Sequence, residues 1–211
     1  MRWSGAVFAA AASTMLSGCA LVVSEGPWFG PDDARGAPEL RQGLWVDAAG
    51  EACRPQADRP LRLWRGCDIL LIRGAEYLAL ERRKERWTWA PQTVLLAGGD
   101  PAVLQWRVNQ NEGSPNTYAG VEPTNFDAEG RVTALYFWAV TCEQHVAAGG
   151  DGKRPLHPGL KRRDSNGECE AESREALFAA AKVGKPSRDQ AANAWRWIRE
   201  ARPDDFAPTP R

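Results

Sequence analysis

Five cysteines and two histidines carry the most reactive side chains of this 211-residue sequence. Cys19 stands apart from the rest. It follows Met1-Arg2-Trp3, with one positive charge, and an apolar run from Val7 to Leu16 broken only by Ser13 and Thr14. A charged start, a short apolar stretch and small residues before a cut are the marks of a secretory signal. The run is too short to span a bilayer, which needs about 20 apolar residues. The other four cysteines, Cys53, Cys67, Cys142 and Cys169, form an even set. In an exported chain such a set reads as two disulfides, with three connectivities open. The local pairing, Cys53 with Cys67 and Cys142 with Cys169, is preferred because each bond then brackets one segment. Loop closure makes each worth about 3 to 3.6 kcal/mol. Cys142 and His145 have a C-x-x-H spacing, but zinc needs a second ligand pair that the sequence lacks. No metal and no cofactor is expected.

The remaining chemistry is sparse. His145 and His157 share one polar stretch with no recognisable nucleophile, and there is no H-E-x-x-H, G-x-S-x-G or Walker loop. Glu122 and Asp127 suit a general acid and base, yet carboxylates beside turns ordinarily cap and solvate. The densest cluster is Arg82-Arg83-Lys84-Glu85-Arg86 followed by Trp87-Thr88-Trp89. Guanidinium forks suit phosphate and tryptophans suit polar–apolar boundaries, so this is a candidate patch for a lipid headgroup, an acidic glycan or an envelope protein. Its bland counterpart is a solvated hairpin end whose Trp pair faces the core. Lys161-Arg162-Arg163 and Asp164-Ser165-Asn166-Gly167-Glu168 lack the ligand ladder of a calcium loop and read as a polar loop. With 27 Lys and Arg against 27 Asp and Glu, the chain has no basic excess for nucleic acid.

Leu16-Ser17-Gly18-Cys19 resembles the lipobox of bacterial lipoproteins. The resemblance implies a diacylglycerol on the Cys19 sulfur, cleavage before Cys19 and acylation of the new amine. It implies anchoring to a membrane without spanning it. Ala20, where an Asp would favour the inner membrane, implies the outer membrane, facing the periplasm. Gly43-Leu44-Trp45 resembles the G-x-W that opens lipocalin barrels, which implies an apolar ligand such as a fatty acid. No T-D-Y motif follows, and a lipocalin would return to a strand where this chain shows helical signals.

These residues need elements to position them. Residues 1–18 are read as the signal, 19–41 as a lipid anchor and Pro/Gly-rich flexible tether of about 25 Å, and 42–211 as one globular domain. Strands are expected at Leu44–Asp47, Leu61–Trp64, Ile69–Arg73, Tyr77–Arg82, Thr93–Ala97, Val103–Asn109, Tyr118–Glu122 and Arg131–Thr141. Asp47 to Gly50 and Asp127 to Gly130 have the Asp and Gly placement of a type I hairpin turn. Arg131–Thr141 is apolar on both faces, as in a central covered strand. Two helices are expected to close the chain, one over Ser173–Val183 ending at Gly184 and one opened by a Ser187–Gln190 capping box. The second would carry Ala191, Trp195 and Ile198 on one stripe. The fold class that follows is α+β: a mostly antiparallel β-sheet or partly closed barrel with a C-terminal helical pair. The expected role is a non-enzymatic envelope lipoprotein, ahead of a carrier of apolar ligands and, third, a hydrolase of envelope polymers.

Overall fold

The computed structural model describes residues 20–48, 52–83, 86–107, 113–144, 155–163, 167–186 and 194–206. Alternating apolar residues build β1 (Val23–Ser24), β2 (Gly43–Asp47), β3 (Ile69–Arg73), β4 (Glu76–Arg83), β5 (Arg86–Gln92), β6 (Val94–Ala97), β7 (Ala102–Arg107), β8 (Asn116–Phe126) and β9 (Val132–Ala139). The short β10 (Leu160–Arg162) and β11 (Cys169–Ala171) form a hairpin, α1 spans Arg174–Val183, and β12 (Ala194–Arg199) follows. The pairing order β5-β4-β3-β2-β12-β9-β8-β7-β6 is antiparallel throughout, with β1 beside β8. β5 and β6 stand at opposite ends of that order, yet only Thr93 separates them in the chain. The sheet therefore curls into a half-barrel, and one bent stretch of backbone crosses its seam.

Curling sorts the apolar residues into three clusters. Trp45, Leu70, Ile72, Leu96, Val121 and Leu135 meet inside. On the outer surface, Leu44, Val46, Leu71 and Leu80 pack with Trp64 beside the Cys53–Cys67 disulfide. Tyr118, Val103 and Val140 pack under α1 beside the Cys142–Cys169 disulfide. The local disulfide pairing is thus the one formed. β9 is covered on both faces as its sequence implies: Leu135 and Phe137 point inward, while Trp138 donates a 2.8 Å hydrogen bond to the Ala181 carbonyl of α1. Ser173 caps α1 by accepting from the Ala176 N–H, and Leu177, Ala180 and Ala181 form its buried stripe. At the other hairpin link, Gly130 has φ +80°, and Asp127 Oδ1 accepts from the Glu129 and Arg131 N–H groups.

Four expectations are corrected. The helical pair is a single helix, because residues 194–199 form β12, paired with both β2 and β9. Trp195 and Trp197 belong to the inner cluster while Arg196 is exposed, a period-two pattern that outweighs the Trp195/Ile198 helical spacing; residues 187–193 lie outside the described residues. Leu61–Leu63 is a 3-10 turn, since Pro60 opens it and its Leu61 side chain fills the outer cluster. The strand expected over Tyr77–Arg82 runs to Arg83 and pairs with β5, a strand not expected from the sequence. Finally, residues 20–41 are packed on the sheet. Val22, Val23 and Phe29 are buried, and Gln105 clamps the Phe29 backbone by accepting from its N–H and donating to its carbonyl. Gly and Pro in this stretch supply turns between apolar anchors, so their abundance misreads as slack.

Candidate functional site

The β4–β5 hairpin end gathers most of the basic-aromatic cluster. In its register Leu80 faces Trp89, Arg82 faces Trp87 and Arg83 faces Arg86. Directly opposed residues share a face, so Arg82 and Trp87 lie side by side on the outer surface with Trp89 one step along. The two tryptophans then part company. Trp89 is half-buried against Phe206 and donates from Nε1 to the Asp205 carbonyl. Trp87 remains 36% exposed. Arg82 and Arg86 are exposed and make no ion pair among the described residues. Lys84 lies outside the described residues, as do Cys19, His145 and Asp164–Asn166.

What holds this end in place is a buried ion pair. Arg199, on β12, meets Asp205 through two 2.7 Å hydrogen bonds, with both side chains nearly inaccessible. The Arg199 guanidinium also lies over the Trp64 ring. Burial works to raise the Asp205 carboxyl, but the Arg199 hydrogen bonds, the Arg202 N–H and both positive charges outweigh it and hold it below the ordinary carboxylate range. The 3-10 turn Pro203–Phe206 is thereby pinned across Trp89.

Two concavities accompany the hairpin. Inside the half-barrel is an opening lined only by apolar side chains, among them Leu40, Trp45, Tyr77, Leu104, Phe137 and Trp195, with a cavity of about 40 Å³. Trp45 of the Gly43-Leu44-Trp45 motif lies in its wall. At the barrel end where β2 begins is a polar hollow of about 420 Å³ bordered by Arg41, Arg73, Arg131 and Glu200. Its arginines are already neutralised: Arg131 and Arg41 converge on Asp127, Arg41 also reaches Glu200, and Arg73 pairs with Glu76. Arg41 further stacks on Trp197 at 3.8 Å. Such a network leaves little net charge for a ligand.

The other residues singled out in the sequence do not converge. Glu122 pairs with Lys185 and Asp127 with Arg131, so the two carboxylates are not set against each other. His157 is buried, and its backbone N–H bonds the Cys142 carbonyl. Lys161, Arg162 and Arg163 are exposed on and just after β10. Among the described residues no group of three or more His, Cys, Asp or Glu is placed to hold a metal ion, and no helix is long and apolar enough to cross a membrane. Sequence reading missed the Arg199–Asp205 pair, the Arg41–Trp197 stack and the apolar wall, all of which join residues distant in the chain. The one available signal was the alternation of Trp195 and Trp197 with arginines. No protein-family model matches the chain, and no curated protein or solved structure matches it.

Proposed function

We propose that this protein is an exported, lipid-anchored bacterial envelope protein of the outer membrane with a non-enzymatic role, presenting the β4–β5 hairpin end to an anionic partner. The observation that carries the export is the pair of disulfides, each stapling one outer cluster, since such bonds persist in oxidising compartments. The lipid follows from Leu16-Ser17-Gly18-Cys19, and the anionic partner from exposed Arg82, Arg86 and Trp87 on one hairpin. Mass spectrometry of the mature protein tests the anchor: the expected N-terminus is a triacylated Cys19, and an unmodified N-terminus at any other residue rules it out. Replacing Arg82, Arg83, Lys84 and Arg86 by Gln tests the surface. Recovery of the partner from envelope fractions is expected to fall about tenfold, the worth of a charge-assisted contact or two. Unchanged recovery returns the hairpin to a solvated end.

The apolar opening favours a second reading, a carrier of apolar ligands, helped by β12 returning to pair with β2. Its size weighs against it. About 40 Å³ is well below the roughly 150 Å³ that admits a benzene ring, so a fatty acid enters only if the lining side chains move. Saturable uptake of a fluorescent fatty acid would favour the carrier; no uptake and no lipid in native mass spectra would dismiss it.

A further inference from the structure

The segment that follows Cys19 is not slack. The Ala20 carbonyl accepts from the Cys142 N–H at 2.8 Å, the Leu21 carbonyl accepts from the Cys169 N–H at 3.2 Å, and the Val22 N–H donates to the Val140 carbonyl at 3.0 Å. Leu21 bridges Thr141 and Val22 bridges Cys169. The strand is therefore gripped by two segments that the Cys142–Cys169 disulfide ties together. Val22 is wholly buried. A Cβ built on Gly167 would lie 3.7 Å from Ala20 Cβ, so Ala20 rests on the Gly167 turn. Cys19 is one peptide bond away, about 3.8 Å between Cα atoms.

We infer that the domain is seated directly on the bilayer, with Gly167 and the paired strands β10 and β11 against the headgroups. The inference rests on the reading of Cys19 as the lipid-bearing residue. A flexible spacer of some 20 residues would let a domain range about 25 Å from its anchor; here the equivalent chain is built into the fold. Acyl chains inserted beside Ala20 draw this end of the molecule onto the surface. β11 lies next to Val22 and β10 next to β11, so Lys161 is two strand spacings, about 10 Å, from the anchor strand. The face is exposed and polar, and it carries no basic excess among the described residues. Among the described residues each base there has an acid beside it: Arg162 pairs with Glu143, Arg163 with Glu25, and Lys161 stands opposite Glu170. A surface without a basic excess has no net attraction for anionic lipid, so the acyl chains supply the binding energy and salt does not loosen the seating.

The native lysines provide the test. The lipidated full-length mature chain is added to preformed vesicles of phosphatidylethanolamine and phosphatidylglycerol, treated with a membrane-impermeant amine acylating reagent, and compared with the same protein in detergent micelles. Lys182, at the far end of α1 and paired with Asp100, and Lys185 serve as internal references. Lys161 is expected to react about tenfold more slowly on vesicles, as an occluded surface group does, while the references keep their micelle rates. The slowing is expected to persist in high salt. Inserting a Gly/Ser spacer of about 12 residues between Cys19 and Ala20 is expected to abolish it without loss of flotation. Equal rates at all three lysines, or protection that high salt removes, overturns the seating. Failure of the chain to float with vesicles overturns the lipid reading instead, so the two failures are told apart.

Discussion

Gly43 sits where two constraints meet. Its φ is +126°, and a Cβ there would lie 2.4 Å from the Arg199 carbonyl and 2.8 Å from Trp197 Nε1, which itself donates to the Gln42 carbonyl. Neither neighbour can yield, since one is backbone and the other is pinned by Arg41. Gly43→Ala is therefore expected to cost about 2–4 kcal/mol, combining backbone strain and overpacking, read as a lowered denaturant midpoint with unchanged slope. Asp205 is the other residue whose environment sets a measurable outcome. Its carboxyl titrates below the ordinary range, so its contribution is present above about pH 4 and is lost as pH falls through the folded value. Asp205→Asn leaves Arg199 buried with a neutral partner and is expected to cost about 2 kcal/mol at neutral pH. The variant's stability curve is expected to be flatter below pH 4 than the wild type's.

Among the elements, β12 has the most consequence for the least chain. Its six residues join β2 to β9, the first barrel strand to the last before the helix. Arg196 pairs with Val46 on one side and with Ala134 on the other. Arg196→Pro removes the Arg196 N–H and strains both ladders, at an expected cost of about 3 kcal/mol or more. Because the inner cluster draws Trp195 from β12, the expected result is loss of cooperative unfolding, seen as a broadened thermal transition. β12 also shows why this element was misread. Trp195 and Ile198 are three apart and Ser187–Gln190 resembles a cap, so the local pattern supports a helix. The preference for a strand comes from partners about 60 and 150 residues earlier, Ala134 and Val46. By contrast β9 and α1 were legible because each carries its pattern within itself: apolar residues on both faces in one, cap, stripe and terminal Gly in the other.

For the whole molecule, stability is divided between an inner cluster closed by curvature and two outer clusters closed by disulfides. Each staple holds a loop-rich lobe that has no long element of its own apart from α1. The separations of 14 and 27 residues correspond to about 3 and 3.6 kcal/mol of loop entropy. A domain of this size has on the order of 5–15 kcal/mol in total. Reduction is therefore expected to remove about half of the unfolding free energy or more, measured by denaturant titration with and without reductant. The same division limits how much of the candidate site was readable. Arg82 to Trp89 was evident as a cluster of types, but the covering of Trp89 depends on Phe206, more than a hundred residues later.

The sequence by itself determined the local facts: most of the strands, where α1 begins and ends, and the Gly at the Asp127–Gly130 turn, with the pairing of nearest cysteines a preference among three. Each follows from residue type and spacing within one segment, which local physics can decide. The tertiary structure alone decided that the half-barrel is bridged by one bent strand at Thr93, that β12 completes its wall, and that the segment after Cys19 is built into the fold. Those outcomes depend on burying apolar faces contributed by distant segments, and no single segment carries the information.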